Sequence, residues 1–340
     1  MKTGTVAIVG GESLIGRELR ELINEQKIAR SVKLIGVDAD TAKLTSEGGE
    51  AAVITPLDET NLRDAQVTFL AGSPDSSRKA MELTRKSTRQ GAIIDLTYAT
   101  EEDPSARLRA PVAEPPGYAP PPGTLHVIAH PAAIALSLFL SRLAGTPKLL
   151  NVIAHIFEPA SERGQQGLDE LQKQTVSLLS FRTLPTDVFD TQLSFAMLSR
   201  YGSEAPEALG SIEQRIERHL ATLLAGLRGV PMPSIRLIQA PVFHGHSISV
   251  HAEFEDPPDT EAIATALASP EVDVRGVDVE PPTNVGIAGQ GGIAVGSIAR
   301  DRNNPRGLWF WIVADNFRLM AENATAVAAS LLRTEQRGEQ

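Results

Sequence analysis

Two groups of residues in this chain have types and spacings that could do chemistry. The first is the glycine-rich stretch Gly10-Gly11-Glu12-Ser13-Leu14-Ile15-Gly16, which directly follows the β-branched and apolar run at residues 5–9. A turn of that kind, leading into a helix, offers backbone N–H groups and a helix N-terminus to a pyrophosphate. The second is the set of histidines His130, His244 and His246, the last two spaced i, i+2 on one strand-like run. Imidazole and carboxylate are the usual partners in proton transfer, and two imidazoles with a carboxylate could also ligate a metal. No diagnostic ligand spacing accompanies them, so the sequence assigns no metal. The chain contains 0 cysteines, which removes thiol nucleophiles, thiolate metal sites and disulfides together. Ser137 and Ser161 stand in no recognisable nucleophile elbow or triad.

The elements that must position these residues follow from periodicity. Leu14, Ile15, Leu19, Leu22 and Ile23 recur at helical spacing, with Glu18, Arg20 and Glu21 on the opposite face. Strands are expected at 32–37, 67–71 and 92–96, with a helix over 76–90 between the last two. Strand and helix alternating through short connections predict a doubly wound parallel sheet. The proline-rich stretch 111–123 reads as an extended loop. A strand at 125–129 then leads through His130-Pro131 into a helix over 132–144, proline being suited to a first helical turn.

The second half has another texture. Strands are expected at 149–157, within 235–254 and at 308–314, and helices over 164–181 and 211–227. A last helix, capped by Asp315, is expected to run to about residue 332. Ile248, Val250, Ala252 and Phe254 alternate with Ser249, His251 and Glu253. Such one-sided alternation predicts a sheet with one covered face and one that is wet or paired with a partner. His246 shares the parity of the apolar set, so it reads either as a core-facing histidine or as a catalytic base. Arg182, Arg200, Arg215 and Arg218 read as solvated surface pairs.

Length and charge bound the possibilities. A chain of 340 residues exceeds one hydrophobic core, so two domains are expected. A net charge of −10 repels a phosphate backbone and an anionic bilayer, which argues against nucleic acid and membrane as general partners. No run approaches the roughly 20 apolar residues of a membrane span. The first residues lack a signal-peptide pattern, and a cytoplasmic protein is expected.

Three longer stretches carry a family resemblance. They are Ile238-Gln239-Ala240-Pro241-Val242-Phe243-His244-Gly245-His246-Ser247, then Val313-Ala314-Asp315-Asn316-Phe317-Arg318, and residues 164–195 with Asp187-Val188-Phe189-Asp190 and Gln192-Leu193-Ser194-Phe195. In this order and spacing they resemble the aspartate-semialdehyde dehydrogenase family, and more closely its Usg-type paralogues. The resemblance implies a Rossmann-type NAD(P)-binding domain of residues 1–131 plus 315–340, an α+β dimerisation and substrate-type domain of residues 132–314, and a homodimer.

Carried over position by position, the resemblance also implies a loss. The thiolate nucleophile becomes Ala133, the glutamine near it becomes Glu158, and the arginine for the substrate carboxylate becomes Gln239. The phosphate-binding arginine becomes Glu101, and only the base keeps its residue, at His246. At the nucleotide site Ser13 replaces the middle glycine and Glu12 adds a negative charge, while Leu14 and Ile15 complete the turn. Asn316 matches a position near the nicotinamide, and Met320 stands where the family has glycine. After the second strand Val37-Asp38-Ala39-Asp40 has Ala39 in place of an arginine, and Asp38 suits a ribose 2′-hydroxyl better than a 2′-phosphate. The cofactor expectation is therefore NAD over NADP, with no dinucleotide at all as the other reading. Two functions follow from these residues. One is a dimeric nucleotide-binding or regulatory pseudoenzyme; the other is an NAD-linked oxidoreductase whose chemistry centres on His246 and Glu158.

Overall fold

The first apolar run forms β1 (Thr5–Val9), whose Val6, Ala7, Ile8 and Val9 are wholly buried, as expected of a strand covered on both faces. The computed structural model describes residues 4–37, 43–47, 50–86, 91–115, 117–121 and 123–338. The chain divides into two compact units, residues 1–129 with 320–340 and residues 130–319.

The first unit runs β1, α1 (Leu14–Gln26), β2 (Ser31–Ile35), β3 (Lys43–Glu47), β4 (Glu50–Thr55), α2 (Glu59–Leu62), β5 (Val67–Leu70), α3 (Pro74–Lys86), β6 (Ala92–Asp95), β7 (Ala106–Arg109) and β8 (Leu125–Ile128). Its sheet has the order β3-β4-β2-β1-β5-β6-β8-β7. Every neighbouring pair is parallel except β3 with β4. This is the doubly wound parallel sheet that alternation predicts. The chain leaves β1 toward β2 on one side and returns to β5 on the other, so the strand order reverses at β1. Ligands of such sheets sit beyond the carboxyl ends of the strands at that reversal. The hairpin β3–β4 and strand β7 are additions to the sequence reading. Strand β2 ends at Ile35 rather than at residue 37.

The second unit runs α4 (Pro131–Leu143), β9 (Leu149–Glu158), a 3₁₀ turn (Ala160–Arg163), α5 (Gly164–Leu179), α6 (Leu209–Leu224), β10 (Ser234–Gln239), β11 (His246–Phe254), α7 (Thr260–Leu267), β12 (Val272–Val274), β13 (Ile293–Arg300), β14 (Gly307–Ala314) and the start of α8 (Asn316–Gly338). Its mixed sheet has the order β10-β9-β11-β14-β13-β12. Strand β11 alternates as its sequence does, with His246, Ile248, Val250, Ala252 and Phe254 buried and the intervening residues partly open. Register places Ile248 between Ile156 of β9 and Ile312 of β14. Helix α4 packs against α6, α7 and β14, and the rings of Phe139 and Phe310 meet edge to face at 5.0 Å. On the other face Ile153 and Trp309 remain exposed, and Phe157 and Trp311 are half-buried.

Asp315 caps α8 as expected, its Oδ1 accepting from the N–H groups of Phe317 and Arg318 at 3.1 and 3.0 Å. From Met320 onward this helix belongs to the first unit. Among the described residues no helix is long and apolar enough to cross a membrane.

Candidate functional site

In the first unit the glycine turn is built by close backbone approach. Gly10 has φ +87°, and a Cβ there would lie 2.4 Å from the backbone of Gly72; a Cβ on Gly16 would lie 2.1 Å from the Gly10 carbonyl oxygen. These two positions admit no side chain. The N–H groups of Gly10 and Gly11 both donate to the Ile35 oxygen, at 2.7 and 3.2 Å, which pins the turn to the end of β2. Ser13 is the N-cap of α1: its Oγ accepts from the Gly16 N–H at 2.9 Å and donates to the Ala71 oxygen at 2.7 Å. The serine that departs from the family pattern therefore holds the turn together. Leu14 and Ile15 open the helix, and amides at such positions have no partner within it. They are the donors a pyrophosphate would meet. Glu12 turns toward β2, where its Oε1 accepts from the Val37 N–H at 2.9 Å, while its Oε2 is buried without a hydrogen-bond partner. Asp38 lies outside the described residues.

In the second unit three candidate residues stand on neighbouring strand ends. Glu158 ends β9, Gln239 ends β10 opposite it, and His246 opens β11. All three are wholly buried. His130 is the N-cap of α4, its Nδ1 accepting from the Ala132 N–H at 3.2 Å, and its own N–H donates to Nδ1 of His219 at 2.9 Å. Ala133 lies in the first turn of α4, fully buried, and offers a methyl group.

The two imidazoles converge on one carboxylate. Nε2 of His246 lies 3.9 Å and Nε2 of His130 lies 4.0 Å from Oε2 of Glu158, and the two rings are 5.7 Å apart. These separations are too long for direct hydrogen bonds. Both ring nitrogens of His246 and Oε2 of Glu158 lack a hydrogen-bond partner, unusual for buried polar atoms. Oε1 of Glu158 faces Arg163 at 3.4 Å; Arg163 also pairs with Glu207, and Glu207 with Arg215 at 2.9 Å. Oε2 of Glu162 is 3.6 Å from Nε2 of His130.

Gln239 and Asn316 are tied down. Gln239 donates to the oxygens of Glu158 and Ala240 and accepts from the Tyr201 hydroxyl at 2.5 Å. Asn316 donates to Oε1 of Glu162 at 2.8 Å and to Oγ of Ser161 at 3.1 Å, and its Oδ1 accepts from the Gly245 N–H at 3.1 Å. The Ser161 hydroxyl is thus engaged as well.

Burial is the largest influence on His130 and Glu162. It holds the His130 imidazole well below its ordinary range, reinforced by His246, His219 and Arg163. It raises the Glu162 carboxyl, with Glu158 adding to the rise against the pull of His246 and Arg163. Burial works against Glu207 too, yet Arg163 and Arg215 prevail and hold it low. The arrangement can hold and move protons among imidazoles and carboxyls. It offers nothing equivalent to a thiolate. Among the described residues no group of three or more His, Asp or Glu is arranged to hold a metal ion.

The sequence pointed to His130, Glu158, Gln239, His246 and Ala133 but missed Glu162, Arg163, Tyr201, Glu207 and His219. Arg215, read as a surface residue, is instead a largely buried partner of Glu207, 18% exposed. A signal existed in α6. Arg215 and His219 are four apart, flanking the buried Ile212, Ile216 and Leu220.

Comparison with known proteins converges on one family. Residues 144–319 match the family model described as semialdehyde dehydrogenase, dimerisation domain. The USG-1 protein homolog of Pseudomonas aeruginosa is 29% identical over 336 residues, covering 96% of this chain and 97% of the relative. The aspartate-semialdehyde dehydrogenase of Rickettsia bellii is 24% identical over 345 residues, covering 98% and 99%. A solved structure of a probable aspartate-semialdehyde dehydrogenase from Pseudomonas aeruginosa has a TM-score of 0.82 at 26% identity, covering 98% of this chain and 100% of that one.

Proposed function

The chain belongs to the semialdehyde dehydrogenase family, and on that footing we propose that it is a dimeric, dinucleotide-binding pseudoenzyme that has lost thiol-based semialdehyde oxidation. The observation that carries this reading is Ala133, a buried methyl group in the first turn of α4, in a chain with 0 cysteines. Acyl transfer through a covalent intermediate requires a nucleophile at that place. Gln239 supports the same conclusion. It carries no charge to compensate a substrate carboxylate, and its amide is already spent on Glu158, Ala240 and Tyr201. The ion pairs of Arg163 with Glu158 and Glu207 are internal. NAD is the favoured ligand, with the turn from Gly10 to Gly16 and the amides of Leu14 and Ile15 receiving the pyrophosphate. When bound, the nicotinamide supplies a hydride acceptor.

The test is an assay of the pure protein with L-aspartate-4-semialdehyde, inorganic phosphate and either NAD or NADP. Reduction of the nucleotide is expected to stay at the level of the enzyme-free control. Phosphate-dependent turnover sinks the proposal.

A second reading is an NAD-linked oxidoreductase working through His246 and Glu158. The unpartnered ring nitrogens of His246 and Oε2 of Glu158 favour it, since buried polar atoms left unpaired are a known mark of catalytic sites. It fails if His246→Asn and Glu158→Gln leave every detected activity and ligand affinity unchanged.

A further inference from the structure

We propose that Glu12 selects the nucleotide, its carboxylate receiving a ribose hydroxyl and turning away a ligand that carries a 2′-phosphate. The inference rests on the reading of the first unit as a dinucleotide site, and it assigns a residue of that site a task.

Glu12 lies in the turn between β1 and α1, beside the strand-order reversal where a doubly wound sheet receives its ligand. Gly10 and Gly11 fasten that turn to Ile35 at the end of β2. From this turn the Glu12 side chain reaches across to the same strand end, and the Val37 N–H fixes its Oε1 at 2.9 Å. The carboxylate is thereby held between the two strand ends that flank the adenosine half of a bound dinucleotide in this architecture.

Oε2 of Glu12 is buried and has no hydrogen-bond partner. A carboxylate oxygen left in that state is costly until a donor arrives. A ribose hydroxyl is such a donor. A 2′-phosphate offers mainly acceptor oxygens, and it brings negative charge to within contact of a negative group. From Gly10 to Gly16 the turn contains no Lys or Arg to offset that repulsion. Glu12 thus distinguishes the two ligands by one atom, satisfied by a hydroxyl and repelled by a phosphate.

The experiment is isothermal titration of the full-length protein with three probes: NAD, NADP, and NAD lacking the 2′-hydroxyl of its adenosine ribose. Wild type should bind NAD at least about tenfold tighter than NADP, and removing the hydroxyl should cost roughly tenfold, as loss of a hydrogen bond to a charged group does. Glu12→Gln keeps an acceptor for Val37 and converts the second atom into a donor. It should bring the NAD and NADP affinities to within about threefold of each other, with unchanged circular dichroism. Equal affinity of wild type for all three probes overturns the assignment by itself, even if the variant does not fold. An unchanged NAD-to-NADP ratio in a folded Glu12→Gln also overturns it and leaves the nucleotide site standing. Absence of binding by wild type and variant alike overturns both.

Discussion

At position 133 a methyl group occupies the first turn of α4, where helix amides would stabilise a thiolate if one stood there. Restoring the sulfur alone should nevertheless fail. Ala133→Cys is expected to show no phosphate-dependent reduction of NAD or NADP with L-aspartate-4-semialdehyde, followed by absorbance of the reduced nucleotide. The reason is that Gln239 supplies no cation for the substrate, and Glu158 is committed to Arg163. Arg163 has a sharper role in stability. Its side chain is 14% exposed and compensates the wholly buried Glu158. Arg163→Met removes the charge, keeps the apolar stem, and leaves a buried carboxylate unpaired. Urea unfolding should register a loss of about 3–5 kcal/mol, the usual cost of breaking one half of a buried pair. The second pairing of Arg163, with Glu207, was not legible in the sequence. Arg163 and Glu207 are 44 residues apart, and charged residues on a turn and before a helix carry no periodic signature. His246 was legible because it shares the parity of a strand whose alternation marks it as inward, whereas Glu158 was reached only through the family resemblance.

Elements show the same division. Strands β1 and β11 and helix α1 were readable because burial on one stripe or both faces imposes a period on the residue types. Strand β13 was not. Its register against β14 shifts between Gly296 and Ala299, and Ser297 has φ +49°. A bulge of that kind breaks the alternation on which the reading depends. Strand β7 (Ala-Arg-Leu-Arg) was missed because it is short and half charged. In the structure it pairs with β8, and there Arg109 meets both Glu114 and His126. Burial, with the Arg109 guanidinium adding to it, pushes His126 down to about 4. The unfolded chain protonates its histidine near 6.5, the ordinary value, so below that pH the unfolded state binds the extra proton. The contribution of His126 is complete above 6.5 and is lost progressively as pH falls toward 4. Unfolding midpoints measured at pH 7 and pH 5 should therefore move less for His126→Asn than for wild type. The glycine turn makes a separate prediction. Gly16→Ala would drive a methyl group into the Gly10 carbonyl, and it should lower thermal stability by about 1–3 kcal/mol while weakening nucleotide binding.

On the scale of the whole molecule, the fold class and family were legible, whereas the inner ion network was not. Doubly wound order follows from alternation of strands and helices, and family membership follows from a few motifs in sequence order. The sheet of the second unit carries the assembly prediction. Its open face bears Ile153 and Trp309, exposed, beside half-buried Phe157 and Trp311, and these strands lie inside the region matching the dimerisation family. Sedimentation equilibrium should give about twice the chain mass of 36.3 kDa, because the large apolar side chains exposed on this mixed face, Ile153 and Trp309, are more stable covered. Trp309→Lys should shift the equilibrium toward the single chain. A wild-type protein that sediments as a single chain at all concentrations would remove the basis for the dimer.

Glu158, Gln239 and His246 sit at the ends of β9, β10 and β11, which are adjacent in the sheet. Their mutual spacing is therefore inherited from the ladder repeat of about 4.8 Å and not from any loop. A change of residue at one strand end leaves the other two where they were. Such a scaffold can shed one chemistry without scrambling its geometry, and the same property leaves it open to being given another by exchanging side chains alone.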